Sequence, residues 1–415
     1  MEITELTNDE FQLFIDTYPL SSIYQTVEYA LLMNTEGFDS ILLGLKDGNK
    51  VLAASVFLIE KGTKYKIAYA PRGFLLDYTN TTLLKTFTKL AKKYLNKLGI
   101  MSIRLSPLLI KNTYDMKKGE FLKNETYDSI FLNLKKLGYK HLGYNSYFEA
   151  MKPRFVAIID LDKPYYEIFQ NIKKEYRTKI RTAFKVGITV HIGTEQELDY
   201  LYMHTQNKYP RDLNYFKNAY KYFSRKGKVE FFYTKLNTIS YLKYMQEEYQ
   251  KENTIYLNLL NRINTERDNR ERWINEKMKQ DRILENKKQE LMRATELLQK
   301  NPEGIITSSI LVVKEKTEVT VLMDGYNPKF KSFNAKHLLI WKLCEKYANK
   351  GYKTLNLGGI AQVTLKENKY AGLNQFKLNF NAYAVEYIGD LELIVNHPLY
   401  LLNKTVSPIP DILKK

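Results

Sequence analysis

Short apolar runs rich in β-branched and aromatic residues stand out first along the chain. Ala53 to Ile59, a charged turn through Thr63 and then Tyr65 to Ala70 read as a hairpin. The same order returns as Thr307 to Val313, a charged turn through Thr317 and Val319 to Asp324. Each hairpin is followed by a helical pattern and a short strand. Lys93-Tyr94-Leu95-Asn96-Lys97 precedes Ile103-Arg104-Leu105, and Lys346-Tyr347-Ala348-Asn349-Lys350 precedes Thr354-Leu355-Asn356-Leu357. Gly99 and Gly351 supply the C-terminal stops of the two helices. Hairpin, helix and strand recurring at nearly constant offsets indicate an internal duplication, and predict two α+β halves.

Between the copies the period changes. Leu242, Met245, Tyr249, Tyr256, Leu259 and Ile263 keep a heptad rhythm interrupted at Glu252, and Ile274, Leu284, Leu291 and Leu298 carry a second one. The polar stretch from Asn264 to Arg270 separates the two runs, and Asn301-Pro302-Glu303-Gly304 ends the second. The pattern predicts an antiparallel two-helix arm inserted just before the second hairpin. Its charged outer faces suit a spacer or dimer surface as well as an RNA contact.

A chain of 415 residues that is 44% hydrophobic can bury ample surface and exceeds what one core usually organises. The 64 Lys and Arg against 46 Asp and Glu leave a net charge of +18, which suits a polyanionic partner such as RNA, a phosphorylated substrate or an anionic membrane face. A coding bias towards Lys, Asn, Ile and Tyr would give the same surplus. Cys344 stands alone in an apolar helical stretch, which excludes a disulfide framework or thiolate metal site and implies a reducing interior. The Met1-Glu2-Ile3-Thr4-Glu5 start has no basic and apolar leader pattern, and no apolar run approaches ~18 residues. A cytoplasmic protein that neither is exported nor spans the membrane is expected.

The five histidines are scattered without a metal-ligand spacing, so no metal is expected. Gly358-Gly359 follows a strand but lacks the other glycines of a dinucleotide or phosphate loop. The densest basic stretch runs from Asn171 to Lys185 in a helical pattern ended by Gly187. Its Lys173, Lys174, Arg177, Lys179, Arg181 and Lys185 are the candidate contacts for a phosphate backbone such as that of an RNA.

Read in order, several motifs resemble those of the Fem family of peptidoglycan-bridge aminoacyltransferases, from about Phe11 to Pro408. They are Gln25-Thr26-Val27-Glu28-Tyr29, the stretch Tyr69-Ala70-Pro71-Arg72-Gly73-Phe74-Leu75-Leu76-Asp77-Tyr78, the basic helix, and Arg211-Asp212-Leu213-Asn214-Tyr215-Phe216. Asn356-Leu357-Gly358-Gly359-Ile360, Gly372-Leu373-Asn374-Gln375-Phe376-Lys377 and Tyr387-Ile388-Gly389 follow. The resemblance implies two tandem GNAT-like domains, residues 1–153 and residues 154–240 with 303–400, an antiparallel coiled-coil arm at 241–302 and a tail at 401–415. It also implies transfer of an amino acid from aminoacyl-tRNA to an amine of the precursor's stem peptide or growing bridge. No cofactor is implied. The acceptor would be lipid II or bridge-extended lipid II at the inner membrane face, and a paralogous Fem-type transferase is a further implied partner.

By the same resemblance, Lys377 is the first candidate for stabilising the developing oxyanion or a tRNA phosphate, and Asp77 for holding the incoming ammonium or taking its proton. Arg72, Arg211 and Tyr215 are candidates for binding the precursor. Each also has a plain structural use: Asp77-Tyr78 in a turn, Tyr215-Phe216 in a core, Lys377 at a sheet edge. Ser106-Pro107 stands where nucleotide-precursor users have Asp-Pro, with Met101, Met33 and Met323 at positions usually Tyr, Lys and Tyr. These departures favour the lipid-linked acceptor. Two other readings stay open: a CoA-dependent N-acyltransferase, and a non-catalytic RNA-binding or interaction protein on the same fold.

Overall fold

The computed structural model describes residues 1–20, 22–115, 119–144, 152–206, 211–266, 268–365 and 367–406. The expected tail at 401–415 lies outside them from residue 407 onward. The strands are β1 (Glu2–Glu5), β2 (Phe38–Asp47), β3 (Lys50–Glu60), β4 (Lys66–Arg72), β5 (Ile100–Pro107), β6 (Ile110–Asp115), β7 (Glu120–Lys123) and β8 (Lys140–His141). They continue as β9 (Phe155–Asp160), β10 (Ile188–Gly193), β11 (Val229–Leu236), β12 (Ile305–Glu315), β13 (Glu318–Tyr326), β14 (Thr354–Ile360), β15 (Tyr383–Tyr387) and β16 (Leu391–Ile394). The α-helices are α1 (Asn8–Thr17), α2 (Val27–Thr35), α3 (Thr81–Lys97), α4 (Tyr127–Lys136), α5 (Tyr165–Asn171), α6 (Lys174–Lys185) and α7 (Leu198–Thr205). After them come α8 (Leu213–Ser224), α9 (Thr238–Thr265), α10 (Arg270–Lys300), α11 (Ala335–Asn349), α12 (Ala371–Leu378) and α13 (His397–Val406).

The duplication read from the sequence is present in the α+β fold. In the first copy, hairpin β3–β4 is followed by α3, which buries Leu84, Phe87, Thr88, Ala91 and Leu95 at helical spacing. The Asn80 side chain caps its start, and Gly99, at φ +71°, ends it in a conformation that costs a residue without Cβ little. Strand β5 then returns parallel to β4. In the second copy β12–β13, α11 and β14 repeat this order, again with a parallel return.

One difference between the copies matters for function. Strands β4 and β5 stay paired from Lys66 and Ile100 to Arg72 and Pro107. Strands β13 and β14 pair only from Glu318 and Thr354 to Thr320 and Asn356, and beyond that point they part into a V. Leu322 is an extra residue in β13, because Leu311 faces Met323 while Val312 faces Val321. Such a bulge bends its strand away from the regular ladder.

The sheets exchange strands. The first has the order β1-β2-β3-β4-β5-β16-β8 and the second β10-β11-β12-β13-β14-β9-β15-β6-β7. The late strand β16 therefore sits in the first sheet, and the early pair β6–β7 edges the second. A division of the chain at residue 153 does not coincide with sheet membership. Glu386 of β15 fastens the exchange: it accepts from Arg154, just before β9, and from Asn112 of β6, and Lys111 lies 3.4 Å away. A shared apolar core completes the junction, with Phe11, Ile23, Leu32 and Met33 from one half against Leu198, Phe216, Leu311 and Val313 from the other.

The inserted arm is the antiparallel pair α9 and α10. Its seam holds Met245 and Leu259 as expected, and the interruption at Glu252 is matched by Gln280, whose amide donates to the Glu252 carbonyl and carboxylate at 3.0 and 2.7 Å. The second heptad is displaced by one residue at its start. Trp273, not Ile274, is buried there, with its indole N–H on Glu266, while Ile274 is 40% exposed. Indole burial with a satisfied N–H outweighs the smaller apolar gain from Ile274. Among the described residues, no helix is long and apolar enough to cross a membrane.

Candidate functional site

The V between β13 and β14 is built around Lys377. Helix α12 is pinned to β14 by Asn374, whose side chain accepts from the Ala361 N–H and donates to the Ala361 carbonyl, at 2.9 and 2.8 Å. Three residues later, nearly one turn on, Lys377 enters the V and its Nζ donates to the Gly359 carbonyl at 2.8 Å. Gly358 lies beside it, at φ +78°, a backbone conformation that favours glycine; a Cβ there would make only ordinary contact, 3.7 Å from the Lys377 Nζ. Lys377 is 8% exposed. Burial lowers its pKa to about 8, helped by Lys336 and opposed by Asp324. Lys336 in turn forms an ion pair with Asp324 and lies 4.7 Å over the Phe376 ring.

The basic helix adjoins this V. The Lys173 N–H donates to the Asn379 carbonyl at the end of α12, and Tyr176 packs edge-on against His337 and Phe380. Burial first, then Lys179 and Lys336, lower His337 to about 4, so its ring is neutral at physiological pH. Of the six candidate tRNA cations, Lys173, Lys174, Arg181 and Lys185 are exposed, while Arg177 and Lys179 are half-buried. Lys179 is paired with Glu175 at 2.5 Å. Arg181 lies 5.4 Å over the Phe169 ring.

A second cluster gathers between the sheets, on the other side of the closed end of the V. Arg72 at the end of β4 is 6% exposed; it donates to the Pro153 carbonyl at 2.7 Å and stacks 4.2 Å from the Tyr387 ring. Lys152 stands 3.7 Å over the Tyr24 ring and 3.4 Å from the Tyr29 hydroxyl. Burial, then Arg72 and Arg211, push its pKa well down, with Asp390 opposing. Among the described residues, neither Arg72 nor Lys152 has a carboxylate within ion-pair distance. Arg211 lies 4.4 Å over the Tyr215 ring and 3.6 Å from Glu36. Tyr215 is buried in the shared core, and burial raises its hydroxyl to about 12.

Asp77 stands apart. Its exposed carboxylate accepts from the Thr79 N–H at 2.9 Å and the Thr79 hydroxyl at 2.6 Å, closing a turn, and these bonds lower its pKa. The charges that shift Lys377 are those of Asp324 and Lys336.

Sequence reasoning passed over several groups that the fold assembles. Lys152, held against Tyr24 and Tyr29, is one of them, whereas Met33 is buried in the core. Ser106 donates to Asp390 at 2.6 Å, and Arg104 holds the same carboxylate at 2.7 Å. Asp390, which directly precedes β16, thus sets a carboxylate beside Ser106. Glu318 accepts from the Thr320 hydroxyl at 2.9 Å and the Asn356 amide at 3.4 Å.

The match to the FemAB family extends over residues 6–407. The chain belongs to this family. It is an aminoacyltransferase by family, and similar proteins span nearly all of it. Aminoacyltransferase FemA of Staphylococcus epidermidis is 26% identical over 99% of this chain and 100% of its own. Aminoacyltransferase FemA of Staphylococcus aureus is 26% identical over 99% of both chains. The crystal structure of FemX superposes with a TM-score of 0.74 over 97% of this chain and 99% of that one, at 24% identity, and shares its fold.

Proposed function

We propose that this FemAB-family chain moves an amino acid from aminoacyl-tRNA to an amine of a peptidoglycan precursor during bridge synthesis, with a lipid-linked acceptor at the inner membrane face. The observation that carries this reading is the buried Lys377 ammonium held at the open V, with the basic helix on its flank. An aminoacyl ester is already activated, so aligning it with a neutral amine supplies most of the acceleration, up to ~7–11 kcal/mol. The tRNA backbone is assigned to the exposed cations of α6, and the ester carbonyl to Lys377, whose charge meets the oxyanion that forms on attack.

The acceptor is assigned to the cleft between the sheets. Among the described residues, Arg72 and Lys152 have no carboxylate within ion-pair distance, and Arg211 stands nearby. Buried unpaired charge is costly, and a diphosphate brings the missing counter-charge. Lys152→Gln is therefore expected to raise KM for a diphosphate-bearing acceptor by about tenfold, equivalent to ~1.4 kcal/mol, with kcat little changed. Initial rates against acceptor concentration check this; an unchanged KM removes Lys152 from the acceptor site. Label transfer from charged tRNA to purified precursor tests the reading as a whole.

A further inference from the structure

The carboxylates around the junction of the sheets are nearly all paired with cations. Asp324 is held by Lys336, Asp390 by Arg104, Glu386 by Arg154, and Glu28 and Glu315 by Lys228. Glu36 faces Arg211. Glu318 differs: among the described residues, no Lys or Arg lies within ion-pair distance of it.

Its position is at the closed end of the V. Asn356 joins it to the Lys377 corner, donating through its amide to Glu318 and accepting from the Gly358 N–H at 2.9 Å through its carbonyl oxygen. Gly358 is the residue beside the Lys377 Nζ. The carboxylate faces the cleft, where its charge reaches Tyr24, Tyr383 and Tyr387, and the Arg72 guanidinium acts on it in return. Thr320, Asn356 and Thr354 are its other polar neighbours. Among the described residues, the cleft thus presents two basic groups, Arg72 and Lys152, with no carboxylate in ion-pair distance, and a carboxylate, Glu318, with no Lys or Arg in ion-pair distance. An acceptor carrying both a diphosphate and a primary ammonium has the complementary charges.

We infer that Glu318 receives the acceptor's ammonium and acts as the general base of the transfer, an inference that rests on the proposed aminoacyl transfer at this site. The ammonium gives one proton to the Glu318 carboxylate. The neutral nitrogen attacks the ester carbon, a C–N bond forms, and the carbonyl electrons move to the oxygen facing Lys377. Collapse of the adduct breaks the bond to the ribose oxygen, which takes the second proton from nitrogen. Glu318 then releases the first to water. Burial holds the Glu318 carboxyl above the usual carboxylate range, which brings it closer to the pH at which a base of this kind is most effective.

The test compares wild type, Glu318→Gln and Glu318→Asp in transfer from charged tRNA to an amine-bearing precursor across pH 6 to 9, with thermal unfolding of each as a check on folding. Glutamine preserves size and still accepts from Thr320 and Asn356. Glu318→Gln is expected to lose about 100-fold or more in kcat/KM near neutral pH. From pH 6 to about 8 its rate should climb as the amine deprotonates unaided, until loss of the Lys377 proton offsets the gain, and Glu318→Asp should recover part of the loss. Glu318→Gln within threefold of wild type, with the same pH profile, would overturn the base assignment while leaving the transfer reading intact. Wild type that transfers nothing to any amine acceptor would overturn both.

Discussion

Lys377→Met is expected to lower single-turnover aminoacyl transfer by about 10²–10³-fold, the cost of removing one preorganised oxyanion partner. Binding of tRNA, assigned to the exposed cations of α6, should be retained, as filter binding would show. Methionine fills similar volume, so the V should keep its shape while losing its charge. The pH profile gives a second signature. Because burial lowers the Lys377 ammonium to about 8, the protonated form is lost as pH rises through that value, and the wild-type rate should fall there. The residual activity of the variant should show no such fall. An undiminished rate would leave Lys377 only its structural hydrogen bond to Gly359.

Glu386→Ala is expected to destabilise the fold by ~3–5 kcal/mol, since it leaves a buried guanidinium uncompensated. Arg154 and Glu386 are each 6% exposed and 3.0 Å apart. The pair lies where β9, β15 and β6 meet, so the damage should fall on the strand exchange that seats the cleft. Replacing both partners by apolar residues, as in Glu386→Leu with Arg154→Met, should recover much of the loss, because no charge is then stranded. Urea unfolding of the wild type and the two variants measures this. A double variant no better than Glu386→Ala would mean that the other bonds of Glu386, to Asn112 and Lys111, carry the effect.

Much of this architecture was legible because its signals are local. The duplicated hairpin, helix and strand, the arm and the basic helix each show in a continuous stretch of pattern. The Gly372 to Lys377 motif was also readable, and the structure gives it a physical basis: Asn374 clamps α12 to β14 and so aims Lys377 into the V. The phase of the second heptad was misread at its start because the seam uses Gln280 and Ala294, which carry little apolar signal, and Ile274 was the more visible residue.

The cleft was less legible because it exists only through topology. Asp390 meets Ser106 across 284 residues, through a strand exchange that no local pattern announces. Lys152 lies in a connecting segment without periodicity, and Glu318 reads as an ordinary turn residue of a hairpin. Asp77 was singled out by its motif, and its carboxylate closes a turn at Thr79. What separates Glu318 from Asp77 is the company each keeps in three dimensions, which spacing along the chain does not encode.

The most direct test of the central claim is transfer of radiolabelled amino acids from a mixed aminoacyl-tRNA pool to purified lipid II and to its soluble nucleotide precursor, with and without RNase. Labelled acetyl-CoA serves as a parallel donor. RNase-sensitive label on lipid II, with none from acetyl-CoA, is the predicted result and would name the amino acid donated. Label from acetyl-CoA alone, or none on these acceptors or on bridge-extended lipid II, would contradict it.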